Sequence, residues 1–408
     1  MMKPRLVCLL IAIVAPWPAV VYAQAVSAQD YPTPTPAMQA GIDTDNGRHF
    51  GDSPADPGPL AKGLSAALKP ADIDAAVKKV ADWELARRQP YFDGIWTNGV
   101  DYAGFMAASA STGDPKYRDA MLATAQKFDW QLRDHDAHPG ADNQDIGQMY
   151  LELYLAQPKD KQDIHWIEPL RSGLDAVIDL KTVSARNTKI PWWWCDALFM
   201  APPVWARMYT ATGDHKYIDY IHTNWRLTYD QLYNKQEHLY ARDATFVSKT
   251  EPNGKPVFWS RGEGWVMGGI ARTVPYLPKD DPEIPFYIGQ LKEMAARVAE
   301  LQGPDGLWHA GMLDPKTFAL PEISGSALMT FGIAWGINNG YLDAKTYRPV
   351  VEKAWKGMLG HIYADGRLGC IQQTGAEPAF YYPSSSYDYG IGGFMLAGAE
   401  LKKMAAKK

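Results

Sequence analysis

The sequence predicts an all-α protein built as a ring of stacked helical hairpins. Two observations carry that expectation. After residue 70, apolar residues recur three and four positions apart along almost the whole chain. A helix–turn–helix corner also repeats: Ser111-Thr-Gly-Asp-Pro-Lys-Tyr-Arg-Asp119 returns as Ala211-Thr-Gly-Asp-His-Lys-Tyr-Ile-Asp219, one hundred positions later.

The elements follow in order. Lys3 and Arg5 precede an apolar run from Leu6 to Val21, with small residues at Val21-Tyr22-Ala23 and, as a second option, Val26-Ser27-Ala28. A positive start, a short apolar stretch and a small-residue exit describe a secretory signal over residues 1–23, so the protein is expected to be secreted and periplasmic. Residues 24–70 are rich in Pro, Gly, Asp and Ser (Tyr31-Pro-Thr-Pro-Thr-Pro, Asp56-Pro-Gly-Pro) and read as a tether or strap without helical periodicity. Residues 71–408 form the expected catalytic domain. Within it the helical period predicts helices at 71–88, 106–111, 116–132, 146–156, 164–180 and 197–212. A second set follows at 218–231, 264–276, 285–302, 325–338, 344–363 and 390–401. Short turns bearing Gly, Asp or Pro separate them. In the repeated corner, Gly113 and Gly213 suit left-handed helix ends, and Asp114 and Asp214 suit caps of the next helix. Each copy spaces two hairpins of about fifty residues, and six such hairpins fill the chain. An open solenoid is the alternative arrangement.

Composition narrows the function. Loss of residues 1–23 removes Lys3 and Arg5 and takes the net charge from −5 to −7, which argues against nucleic acid or an anionic membrane as partner. The state expected is a monomer or weak dimer. Fifteen Trp, 22 Tyr and 12 Phe fit a carbohydrate cleft, and equally a large core. Cys8 leaves with the signal. Cys195 and Cys370 are too few for a disulfide scaffold and read as two free buried thiols, with a pair as the alternative. The nine histidines show no metal-ligand spacing, and no phosphate or dinucleotide loop is present, so no metal or cofactor is expected.

Chemistry concentrates in three segments. In Pro191-Trp-Trp-Trp-Cys-Asp-Ala-Leu-Phe-Met-Ala-Pro-Pro-Val-Trp205, Asp196 stands between indoles, Trp194 among them, and an apolar helical run. Poor solvation raises a carboxyl toward the range where it hands over a proton near neutrality, whereas a helix cap or core ion pair is the bland account. Asp142 and Asp145 open the next segment, Ala141-Asp-Asn-Gln-Asp-Ile-Gly147, where capping explains one carboxylate and leaves the other for a cleft. In Val257-Phe-Trp-Ser-Arg-Gly-Glu-Gly-Trp-Val-Met-Gly-Gly269, Arg261 lies between Trp259 and Trp265. An arginine framed by indoles can grip a carboxylate bidentately while the rings stack on a sugar; pairing with Glu263 or a core aspartate is the alternative. Arg242 is a second candidate for anion binding.

These motifs resemble the unsaturated rhamnogalacturonyl hydrolases, relatives of the unsaturated glucuronyl hydrolases. The resemblance rests on Asp142 to Tyr154, Trp194-Cys-Asp-Ala-Leu-Phe-Met-Ala-Pro202, the Thr-Gly-Asp-x-x-Tyr turn and Phe258-Trp-Ser-Arg-Gly-Glu-Gly-Trp-Val-Met-Gly268. Glu322-Ile-Ser-Gly-Ser-Ala327, Gly332-Ile-Ala-Trp-Gly-Ile-Asn338 and Tyr387-Asp-Tyr-Gly-Ile-Gly-Gly-Phe-Met-Leu-Ala-Gly-Ala-Glu400 complete it. It implies a six-hairpin (α/α) barrel acting on unsaturated uronyl oligosaccharides left by polysaccharide lyases, by hydration of the C4=C5 double bond. By the same resemblance, Asp196 protonates C4 and assists water at C5. Asp142 holds ring hydroxyls and, as a nearby negative charge, keeps Asp196 protonated. Trp194, Arg242, Trp259, Arg261 and Trp265 bind substrate. Two positions depart from the pattern: Arg242 replaces a histidine and Glu263 an asparagine. Both change charge near the expected sugar site. The rival readings are an inverting glycosidase using Asp142 and Asp196 on saturated substrates, and a non-catalytic sugar-binding protein of the envelope.

Overall fold

The computed structural model describes residues 36–180 and 190–407. Residues 1–23, expected to be a secretory signal, lie outside the described residues, and Cys8 with them.

Helix α1 (Pro36–Gly47) corrects the expectation for the strap, which carries a helix after all. The segment lacks a regular apolar stripe, and tertiary contacts hold it. Ile42 is buried, and Asp45 is buried against a distant loop. Strand β1 (Gly51–Asp52) follows.

The ring then builds in pairs. Helices α2 (Pro70–Arg88), α3 (Trp96–Thr112) and α4 (Pro115–Lys127) precede a one-turn helix α5 (Ala141–Gln144), which leads into α6 (Gly147–Leu155) and α7 (Glu168–Asp179). A second one-turn helix, α8 (Ala197–Met200), enters α9 (Pro202–Thr212), and α10 (Lys216–Leu232) runs into the hairpin β2 (Tyr233–Asn234) and β3 (Leu239–Tyr240). Helices α11 (Ser260–Thr273), α12 (Ile284–Glu300), α13 (Ile323–Asn338) and α14 (Ala344–Leu359) continue the alternation. Strand β4 (Ser386–Tyr387) pairs antiparallel with β1, and α15 (Asp388–Ala406) completes the chain. Each expected helix has a counterpart, and two differ in instructive ways. The helix expected at 106–111 begins at Trp96, because Asn98 and Asp101 break the apolar period yet are buried with the rest. The helix expected at 197–212 is interrupted at Ala201, before Pro202-Pro203, where the rings remove amide donors and crowd the preceding turn.

Two kinds of helix result. Helices α11, α13 and α15 are buried on all sides along most of their length, and with α3, α6 and α9 they form an inner ring. In α4, α7, α10, α12 and α14 only one stripe is buried, and these form the outer layer. Inner helices pack in the order α3, α6, α9, α11, α13 and α15, and α15 returns against α3. Glycines permit the closest approaches. A Cβ on Gly269 of α11 would lie 2.1 Å from the Leu198 carbonyl oxygen, and one on Gly392 of α15 would lie 2.4 Å from that of Val100 in α3.

The repeated corner is structurally the same device twice. Gly113 (φ 70°) and Gly213 (φ 75°) end inner helices in the left-handed conformation. Asp114 and Asp214 accept the amides of Lys116 and Lys216. Tyr117 and Tyr217 then donate their hydroxyls to Asp82 and Asp175, tying each outer helix to the outer helix before it. No helix of the described residues is long and apolar enough to cross a membrane.

Candidate active site

Because the inner helices run in one direction, their N-terminal ends share one mouth of the ring. A cavity of about 230 Å³ opens there. Asp142 reaches it from α5, Asp196 from the residue before α8, and Arg242 from the loop after β3. Trp194, Trp259, Arg261 and Trp265 complete the convergence of the seven site candidates. Trp96, Met200, Thr374 and Gly375 also line it, and sequence reasoning missed them. Trp96 stacks on Tyr389 (centroids 5.3 Å apart) and nothing near it in sequence advertises that.

The carboxylates define the electrostatics. Asp196 is 7% exposed. Its Oδ2 accepts Arg242 Nε at 3.2 Å, and Cys195 Sγ donates weakly to Oδ1 at 3.8 Å. Burial raises its pKa, while Arg242 and Arg261 pull the other way. The Asp142 carboxyl is pushed up to about 7. Burial is the main cause and the Asp196 charge the second, with the Arg242 charge offsetting only part of the rise. Burial thus pushes both carboxyls up, and the Arg242 contact offsets part of that rise at Asp196.

Asp145 is placed differently. It is fully buried behind the cavity wall, accepts Gln148 Nε2 at 2.5 Å and is held well above the usual carboxylate range by burial. Gln148 in turn accepts Arg272 Nε, and Arg272 and Arg207 share Glu152. Asp142 faces the cavity, and Asp145 anchors a polar chain running inside the ring.

Two arginines read as substrate grips behave unequally. Arg242 lies over the Trp193 ring, bonds both Asp196 and Asp243, and retains contact with the cavity. Arg261 is only 1% exposed, and its two terminal nitrogens donate to the carbonyls of Gln372 and Gln373, each at 2.8 Å. Its faces are covered by Trp259 and Tyr389. A bidentate grip on a ligand by Arg261 is thus replaced by a grip on the 372–373 backbone, which the sequence could not show because that segment lies far along the chain. Trp259 donates Nε1 to Gln372 Oε1, and Trp265 is buried against Trp96 and Phe199, so both shape the wall from behind. Glu263, the other departure, does not touch the cavity. Both its oxygens accept the Tyr240 amide at 3.0 Å, and burial holds its pKa well up. Cys195 and Cys370 are both free and buried.

The site unites an aromatic-lined pocket, two buried carboxyls whose pKa values burial raises, and Arg242 bonded to one of them. Such a set can protonate a carbon of an electron-rich double bond and deprotonate the water that adds beside it.

Similarity to known proteins agrees with that chemistry. The sequence model of Glycosyl Hydrolase Family 88 matches residues 69–405. An "Unsaturated 3S-rhamnoglycuronyl hydrolase" from Formosa agariphila is 39% identical over 353 residues, 83% of this chain and 92% of the relative. The solved structure of a glycosyl hydrolase family 88 protein from Bacteroides vulgatus superposes with a TM-score of 0.74 at 30% identity, covering 81% of this chain and 98% of that one. A structure described as a polysaccharide lyase superposes at 0.77, also at 30% identity, over 83% of this chain and 99% of its own.

Proposed function

The chain belongs to glycosyl hydrolase family 88, and on that premise we propose that it removes a terminal 4,5-unsaturated uronic acid from lyase-generated oligosaccharides by hydrating the C4=C5 bond. The observation that carries this reading is the coupled pair Asp142 and Asp196 in one desolvated cavity, with Arg242 on only one of them. The name of the Formosa relative supports rhamnose as the neighbouring sugar.

The steps balance with one water. An incoming uronate offers Arg242 a second carboxylate. When Arg242 turns to it, Asp196 loses its counter-ion, and the proton shared with Asp142 moves to Asp196. Asp196 then protonates C4, leaving positive charge at C5 that the ring oxygen shares. Water adds at C5 and returns a proton to the carboxylate. The C5 hemiketal opens, freeing a hydroxyl on C1, and the resulting hemiacetal collapses to an aldehyde and expels the aglycone. Residues 1–23 fit this role as an export signal, since polymer fragments are met outside the cytoplasm. Recovery of a periplasmic protein lacking them tests that part.

The polysaccharide lyase among the similar structures raises a second reading, because β-elimination creates the double bond that hydration consumes. One assay separates them. On unsaturated products of rhamnogalacturonan and rhamnoglucuronan lyases, the wild type should lower the ultraviolet absorbance of the conjugated double bond. A rise on the intact polymers would establish elimination and overturn hydration. Cleavage of saturated oligosaccharides without any change in absorbance would establish the inverting glycosidase instead.

A further inference from the structure

The family match begins at residue 69, yet part of the cavity wall is held from before that point. Thr374 and Gly375 line the cavity, and Thr374 is fixed by Asp45 of α1: its amide and its hydroxyl both donate to Asp45 Oδ2, at 2.9 and 2.7 Å. Asp45 is 4% exposed. A buried carboxylate is costly unless its bonds repay the lost hydration, and Thr374 supplies those bonds here. Two further ties bind the same segments together. Tyr382 donates its hydroxyl to Gln39 of α1, and β1 pairs with β4 two residues before Tyr389, whose ring backs Arg261 and Trp96. Arg261 clamps the loop from the other side through Gln372 and Gln373.

We propose that the N-terminal strap is a working part of the substrate pocket, with Asp45 as a positioning residue that fixes the Thr374–Gly375 wall against the bound oligosaccharide. Without Asp45 the loop keeps its Arg261 clamp but loses the tether one residue beyond it. The catalytic pair, carried on α5 and ahead of α8, is untouched. The wall therefore affects how well the sugar is held more than how fast it reacts. This inference rests on the cavity being the sugar site, as proposed above.

The test uses the full-length protein with Asp45→Ala and Asp45→Asn. In Asp45→Ala, hydrogen exchange at the Thr374 amide should quicken at least about tenfold while α13 and α15 stay protected. The KM for a lyase-generated unsaturated oligosaccharide should rise about tenfold with kcat within about twofold, since loss of contacts made equally to substrate and transition state raises KM alone. Asp45→Asn keeps an acceptor oxygen for Thr374 and should restore most of the KM. Unchanged exchange in Asp45→Ala would overturn the tether. Quickened exchange with an unchanged KM would overturn its role in the pocket. A joint fall of kcat, KM and melting temperature would reduce Asp45 to a stability element, and failure of Asp45→Asn to rescue would assign the effect to charge near Arg261. A wild type inert toward all unsaturated oligosaccharides would sink the functional reading, while the exchange measurement would still decide the tether.

Discussion

The two mouths of the helix ring present opposite solutions to the same materials. At the N-terminal mouth a cavity of about 230 Å³ holds Asp142 and Asp196, with Arg242 bonded to Asp196 and Arg261 turned to the 372–373 backbone. At the C-terminal mouth a larger cavity of about 860 Å³ contains Arg207, Arg272, Lys402, Lys403 and Lys407, all engaged. Glu152 takes both arginines, Asp74 and Glu400 take Lys402 and Lys403, and the Asn338 carbonyl takes Lys407. Cations belong at helix C-termini, where backbone carbonyls are left unpaired. The larger cavity is therefore electrostatically finished, and the smaller one is left with a proton to move. Reactivity follows incomplete pairing, not volume.

Substitutions at each mouth should separate these roles. Asp196→Asn should remove the absorbance change by about a thousandfold or more while leaving the melting temperature equal or higher, since a desolvated charge disappears. Residual turnover near wild type would remove Asp196 from the chemistry. The mirror experiment is Glu152→Ala, which strands two buried arginines and should cost about 3–5 kcal/mol of stability with kcat unchanged in the folded protein, read by denaturant midpoint alongside the assay. Equal loss of activity there would erase the contrast between the mouths.

A smaller effect concerns pH. Asp142 sits at about 7, so kcat/KM should fall on the alkaline side of that value as the shared proton is lost. Arg242 opposes protonation of both carboxyls. Arg242→Met should therefore move the alkaline limb upward by about one unit even as it weakens substrate binding. A downward move would contradict the assignment.

The smallest effect is on stability. Folded Asp142 keeps its proton up to about 7, against an ordinary 3.8 in the unfolded chain. Between these values the unfolded state binds fewer protons, so stability is full below about pH 4 and declines as pH rises toward 7. Asp388, also pushed up to about 7, acts in the same direction. Asp142→Asn should flatten the decline and raise the melting temperature at pH 8 by about 2 °C. An unchanged slope would show that Asp142 is better solvated than its position implies.

Much of this arrangement was legible in the sequence, and the gaps have physical causes. The twelve main helices showed through their apolar period, and the two TGD corners fixed the hairpin spacing because a left-handed glycine and a capping aspartate are local requirements. Asp196 was legible because a charge among indoles is conspicuous, and Asp142 because a helix start needs only one of two nearby carboxylates as a cap. Trp96 was not, since its helix start is broken by buried polar residues whose partners, such as Arg88 for Asn98, lie on another helix. Thr374 and Asp45 were invisible for the same reason: each is ordinary until the other is beside it. The hold of Arg261 on the 372–373 backbone was illegible because carbonyl partners leave no signature in side chains.

Closure of the ring by α15 against α3 has a consequence in time. The carboxyls of Asp142 and Asp196 leave the ribosome long before Tyr389, the residue on which Trp96 rests. Until then the nascent chain is an open arc, its first and last inner helices each baring an apolar flank. The pocket draws on residues from both ends of that arc, so a chain cut before α15 should lose the Tyr389 ring that backs Trp96 and Arg261.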